Sequence, residues 1–143
     1  KKNFRCLMDR EARIIRIFSD IERFFRDYEK ITLEGSIQHE DTTRFHAISM
    51  VLFTILNLSF ELGEEIIGHR HAGLPGTYRD IFQILWEEKL IDEKIRGTMT
   101  HMVYYRNRLA HQYAGLNHED IHVIMSHLDT IREYIARMKD AIR

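Results

Sequence analysis

A single cysteine, Cys6, rules out an intrachain disulfide, so nothing in the chain calls for an oxidising compartment. With one proline, Pro75, and seven glycines, few residues are present to interrupt helices. Convincing period-two alternation is missing, and no internal repeat stands out. Long hydrophobic runs are lacking too. The longest uncharged stretch, Phe45 to Phe60, holds His46, Asn57 and several hydroxyls, short of the ~20 apolar residues a membrane span needs. The first residues, KKNFRCLMDREAR, carry no apolar core of the signal-peptide kind. Strong net charge is also absent: 21 Lys and Arg face 22 Asp and Glu. That near-balance excludes a general nucleic-acid-coating protein but leaves room for a small RNA-facing patch. With 44% hydrophobic and 30% charged residues over 143 positions, the expectation is one globular, cytoplasmic domain covering 1–143, with no membrane contact.

What is present reads as helices. Leu7, Ile14, Phe18, Ile21, Phe25 and Tyr28 recur at steps of three and four once Glu11 is admitted, giving a long amphipathic first helix that Glu34-Gly35-Ser36 breaks. Asp41 is placed to cap a second helix running to about Gly68. Its middle, Ile48 to Leu62, is apolar nearly all round, as suits the centre of a bundle or a subunit contact. His69 to Gly76 forms the main loop, and Thr77 with Asp80 resembles a capping box. A short third helix should turn Ile81, Phe82, Leu85 and Trp86 inward. Asp92 caps a fourth carrying Ile95, Met99, Met102 and Val103, which Gly115 ends. Asn117 caps the last, with a stripe of Ile121, Met125, Leu128, Ile131, Ile135, Met138 and Ile142. The sum is an all-α, up-and-down bundle of about five helices.

One stretch reads as chemistry. From Lys94 through His118 no Asp or Glu occurs, while Lys94, Arg96, Arg106, Arg108, His101, His111 and His118 do. A local positive field in a near-neutral chain suggests an anionic ligand, phosphate first. Within it Arg106-Asn107 precedes His111-Gln112-Tyr113. Five residues on a helix turn through ~140°, so Arg106 and His111 do not share a face, whereas Asn107 and His111 do. Either the helix distorts near Leu109-Ala110, or the site is composite, with a two-fold axis bringing two arginines and two imidazoles together. The second reading is favoured.

Those residue types suit RNA cleavage without metal. The ribose 2′-OH attacks the adjacent phosphorus and needs a base, the leaving 5′-oxygen needs an acid, and the phosphorane needs a cation. One His111 serves as base and its symmetry mate as acid. Arg106 grips two phosphate oxygens through its planar fork, and Asn107 orients the phosphate or fixes the His111 tautomer. The product is a 2′,3′-cyclic phosphate, and no cofactor is called for. Plainer readings stand beside this one. Arg106 and Arg108 suit a solvated helix face, His111 a packed helix end, and Tyr104, Tyr105 and Tyr113 a bundle surface. His118 with His122, and His69 with His71, lack a third ligand at a recognised spacing and read as solvated histidines. A non-catalytic helical module binding a nucleotide or a protein is the alternative function; it would need the arginine but not the imidazole.

The segment Arg106-Asn107-Arg108-Leu109-Ala110-His111-Gln112-Tyr113 resembles the R-x4-H-x-Y signature of HepT toxins in the HEPN superfamily. Asn57-Leu58, Glu61-Leu62-Gly63-Glu64 and Pro75-Gly76-Thr77-Tyr78-Arg79-Asp80-Ile81-Phe82 resemble further family landmarks. The resemblance implies an all-helical homodimer with its ribonuclease site at the subunit interface, Arg106 and His111 catalytic, and transfer RNA among the targets. It also implies a partner, an MntA-like nucleotidyltransferase antitoxin that transfers AMP onto the motif tyrosine, here Tyr113. Adenylate beside Arg106 and His111 would put negative charge where substrate phosphate binds.

Overall fold

The computed structural model describes residues 2–33, 42–111 and 118–143. It contains six helices among these: α1 (Lys2–Leu33), α2 (Thr42–His69), α3 (Tyr78–Glu87), α4 (Glu93–His111), α5 (His118–Ser126) and α6 (Leu128–Ala141). The breaks expected at Glu34-Gly35-Ser36 and Gly115, and the caps at Asp41 and Asn117, lie outside the described residues.

α2 is the axis of the bundle and packs against all five other helices. Ile48, Leu52, Ile55, Leu56, Leu62 and Ile66 are fully buried along it, which explains a sequence that is apolar nearly all round. Over its full 28 residues α2 is long and apolar enough to cross a membrane, although the uncharged run inside it was not. Half of that apolar window is buried by protein. α1 lays Ile14, Ile17, Phe18, Ile21 and Phe25 against this core, and Lys139–Glu22 and Arg132–Glu29 contacts tie it to α6 at the surface.

Local chemistry explains the helix ends. Thr77 Oγ1 accepts the Asp80 amide at 3.2 Å, and Asp80 Oδ2 accepts the Thr77 and Gly76 amides at 3.0 Å, so the short Asp completes the capping box. Asp92 Oδ1 accepts the Ile95 amide at 2.9 Å and starts α4. α2 and α3 each stop in a left-handed residue, His71 (φ 53°) and Lys89 (φ 62°). Ala72 then donates back to Ile67, and Leu90 to Leu85, the Schellman pattern usually made with glycine.

Two expectations are corrected. The last apolar stripe belongs to two helices. Ser126 Oγ donates to the Val123 carbonyl and the His127 amide to that of Ile124, so the chain tightens by one turn and restarts at Leu128. The apolar spacing runs on through this one-residue break, which hid it. Trp86 is 40% exposed. Ile81, Phe82 and Leu85 already fill the inward face of a ten-residue helix, and Trp86 lies beyond it, under the Arg96 guanidinium.

The core is stitched by aromatic rings. Tyr78, Phe60, Phe82 and Tyr134 follow one another with centroids 5.1, 5.6 and 5.6 Å apart. The buried Tyr134 hydroxyl donates to the Ser59 carbonyl at 2.9 Å, and burial pushes its pKa up. Gly63 makes this approach possible, since a Cβ there would lie 2.6 Å from Ile81 and 2.7 Å from the Tyr134 hydroxyl.

Candidate functional site

α4 brings the motif to one end of the bundle. Its buried residues Ile95, Met99, Met102, Val103 and Leu109 seat it against the core, and the interleaved positions carry the polar groups. The helix stays α-helical through His111. The distortion considered near Leu109-Ala110 is not there, and Arg106 and His111 point to different sides of α4.

Arg106 is held by residues from three helices. Its Nε donates to Asn57 Oδ1 of α2 at 2.8 Å, and Nη1 donates to Asn107 Oδ1 at 3.2 Å. The guanidinium carbon lies 5.1 Å from the Tyr78 ring centroid and 5.6 Å from that of Phe53, both within cation–π range. Amides and rings orient the cation while leaving its charge uncancelled. Among the described residues Arg106 meets no carboxylate.

The other cations of the acid-free stretch differ. Lys94 pairs with Glu133 of α6 at 3.4 Å, and Arg96 pairs with Glu93 just before the stretch. Arg108 makes a two-pronged pair with Asp120 of α5, at 3.1 and 2.9 Å. Its pKa rises chiefly through this hydrogen bonding. Arg108 therefore clamps α4 to α5, and folding cancels most of the positive field that the sequence suggested. Arg106 keeps it.

Beside Arg106 opens a cleft of about 500 Å³, lined by Glu64 of α2, the turn from Pro75 to Arg79, and Val103 and Asn107 of α4. Burial and the neighbouring Glu61 and Glu65 raise the Glu64 carboxyl above its usual range. His111 is exposed at the end of α4, and Tyr113 lies outside the described residues. Of the histidine pairs read as solvated, His118 instead packs its ring 4.5 Å from that of Phe45, while His122 and His71 are exposed and His69 half-buried.

Sequence reasoning marked Asn57 and Tyr78 as family landmarks without a role and passed over Phe53 and Asp120; Asn57, Phe53 and Tyr78 build the Arg106 cradle. An amide in the middle of an apolar core helix was the available signal for Asn57, because a buried amide needs a partner.

Matching against known families assigns residues 14–138 to the HepT-like ribonucleases. This chain belongs to that family. HepT of Shewanella oneidensis, an mRNA nuclease, is 25% identical over 127 residues, covering 88% of this chain and 96% of its own. The tri-AMPylated HEPN toxin of the same organism, solved in complex with its MNT antitoxin, superposes with a TM-score of 0.79 at 25% identity, covering 89% and 96% of the two chains. The cytosolic protein YutE of Bacillus subtilis, of unknown function, matches in fold, with a TM-score of 0.70 at 22% identity, covering 85% and 87%. The HepT-like chain described here is thus an all-helical relative of ribonuclease toxins.

Proposed function

We propose that this HepT-like chain is a toxin-type, metal-independent endoribonuclease, working as a homodimer and held in check by an MntA-like nucleotidyltransferase. The observation carrying this reading is Arg106, an oriented guanidinium without a carboxylate partner among the described residues. Such a cation is arranged to receive an anion rather than to hold the fold. Arg106 and His111 leave different sides of one regular helix, so a second copy supplies the complementary group. In that composite site one His111 takes the 2′-OH proton as the oxygen bonds to phosphorus. The partner's His111 protonates the 5′-oxygen as the P–O bond breaks, leaving a 2′,3′-cyclic phosphate and a 5′-hydroxyl. Asn107, which already accepts from Arg106, orients the phosphate, and Arg108 supports the site by fixing α5 to α4 through Asp120.

The Shewanella relative acts on mRNA by its name, and messenger RNA is the first substrate to try here, with transfer RNA the second. AMP transfer onto Tyr113 is the proposed off-switch, in keeping with the AMPylated, antitoxin-bound toxin of that organism. Incubating the purified protein with total RNA in EDTA tests the nuclease reading. Cleavage should occur, and His111→Ala and Arg106→Ala should each abolish it without dissociating the dimer. Equal cleavage by both variants would place the activity elsewhere or in a contaminant. After co-expression with a neighbouring nucleotidyltransferase, intact mass should show adenylate additions that vanish in Tyr113→Phe. Unchanged labelling there would move the modification to another residue.

A further inference from the structure

We propose that the cleft beside Arg106 reads guanine in single-stranded RNA, with Glu64 selecting the base and Arg79 holding an adjoining phosphate. This rests on the ribonuclease reading for its location next to the scissile phosphate. The chemistry of the cleft stands on its own.

Its volume, about 500 Å³, falls in the range of small-ligand sites and suits a nucleotide. Two opposite charges line it, and neither is used by the fold. Among the described residues Glu64 and Arg79 make no hydrogen bond or ion pair, whereas Glu65, next to Glu64 in sequence, pairs with Arg10 and Arg13. A carboxylate only accepts and a guanidinium only donates. An occupant that satisfies both must offer a donor edge to the carboxylate and an anion to the guanidinium. A nucleotide does so, and the bases differ in the edge they offer. Guanine alone places two donors side by side, N1–H and the N2 amine, matching the two oxygens of a carboxylate. Adenine and cytosine pair each amine with a neighbouring ring acceptor that repels the second oxygen. Uracil sets one N–H between two carbonyls.

The position fits a base flanking the reacting phosphate. Tyr78 and Asn107 line the cleft and also hold Arg106, one through its ring and the other through its amide oxygen. The Asn107 amide nitrogen has no described partner and is free to donate to a base carbonyl or sugar. Desolvation and two flanking carboxylates disfavour the Glu64 charge, so paired donors in the cleft would relieve an existing penalty.

Binding can be measured without turnover, which keeps this inference separable from the nuclease reading. Calorimetric titration with the 3′-monophosphates of guanosine, inosine, adenosine, cytidine and uridine should rank guanosine tightest by about tenfold or more. Inosine, lacking the N2 amine, should lose most of that advantage. Glu64→Gln should bring guanosine down to the level of the others, while Glu61→Gln, outside the cleft, keeps the ranking. Arg79→Ala should weaken all five similarly. Thermal melts establish that each variant is folded. Equal affinities for the five nucleotides in the parent, or a guanine preference that survives Glu64→Gln, overturns the proposal. Guanine binding without RNA cleavage upholds the cleft and sinks the nuclease alone.

Discussion

Arg106 owes its orientation to groups on two other helices as well as its own, and this makes its surroundings testable. Lysine would keep the charge but lose the fork and the Nε bond to Asn57. Arg106→Lys should therefore slow RNA cleavage by on the order of 10²-fold in single-turnover assays, with the melting temperature little changed. Asn57→Ala removes one orienting hydrogen bond and should cost about tenfold in rate. Parental rates in that variant would show the cradle to be ornamental. Glu64 gives a prediction in pH. Its folded-state pKa is raised from 4.5, so the native chain holds that proton to higher pH than the unfolded chain does. Stability must then fall as pH climbs from about 4.5 through the raised value. Thermal melts of Glu64→Gln should match the parent near pH 4 and exceed it near pH 7. A difference that stays flat with pH contradicts the assignment.

Helix termini and helix crossings carry the next tests. Gly63→Ala forces a methyl onto Ile81 and the Tyr134 hydroxyl, and overpacking of this kind costs about 1–3 kcal/mol, readable by urea denaturation. Lys89 sits in a left-handed conformation at φ 62°, a strain that glycine avoids. Lys89→Gly should raise stability by about 0.5–1 kcal/mol despite glycine's greater freedom when unfolded. The elements themselves were largely legible in the sequence. Caps at Thr77 and Asp92 and apolar steps of three and four are local signals, and they placed α3 and α4 well. The break at His127 was not legible, because it comes from a serine hydroxyl bonding back to Val123 while the apolar stripe runs on unbroken. Trp86 was misplaced because spacing gives a direction on a helix but not how far the neighbouring helix extends. The motif residues were visible as residue types, whereas the Arg106 cradle depends on contacts such as that to Asn57, 49 positions away. Only folding brings Asn57, Tyr78 and Asn107 together.

For the whole molecule, the proposed two-fold arrangement predicts dominance of an inactive copy. Parent protein unfolded and refolded with increasing His111→Ala should lose cleavage as the square of the parent fraction, because a mixed dimer keeps one imidazole where the reaction needs two. Activity that falls only in proportion to the parent fraction would argue that each copy works alone. The tie between Arg106 and α2 also bears on transplantation. A peptide copied from α4, or a foreign bundle given the same eight letters, would carry the signature without the groups that aim its cation, and should be inert. To move the activity, a protein engineer would have to carry over Phe53, Asn57 and Tyr78 as well, so the smallest portable unit is a three-helix corner.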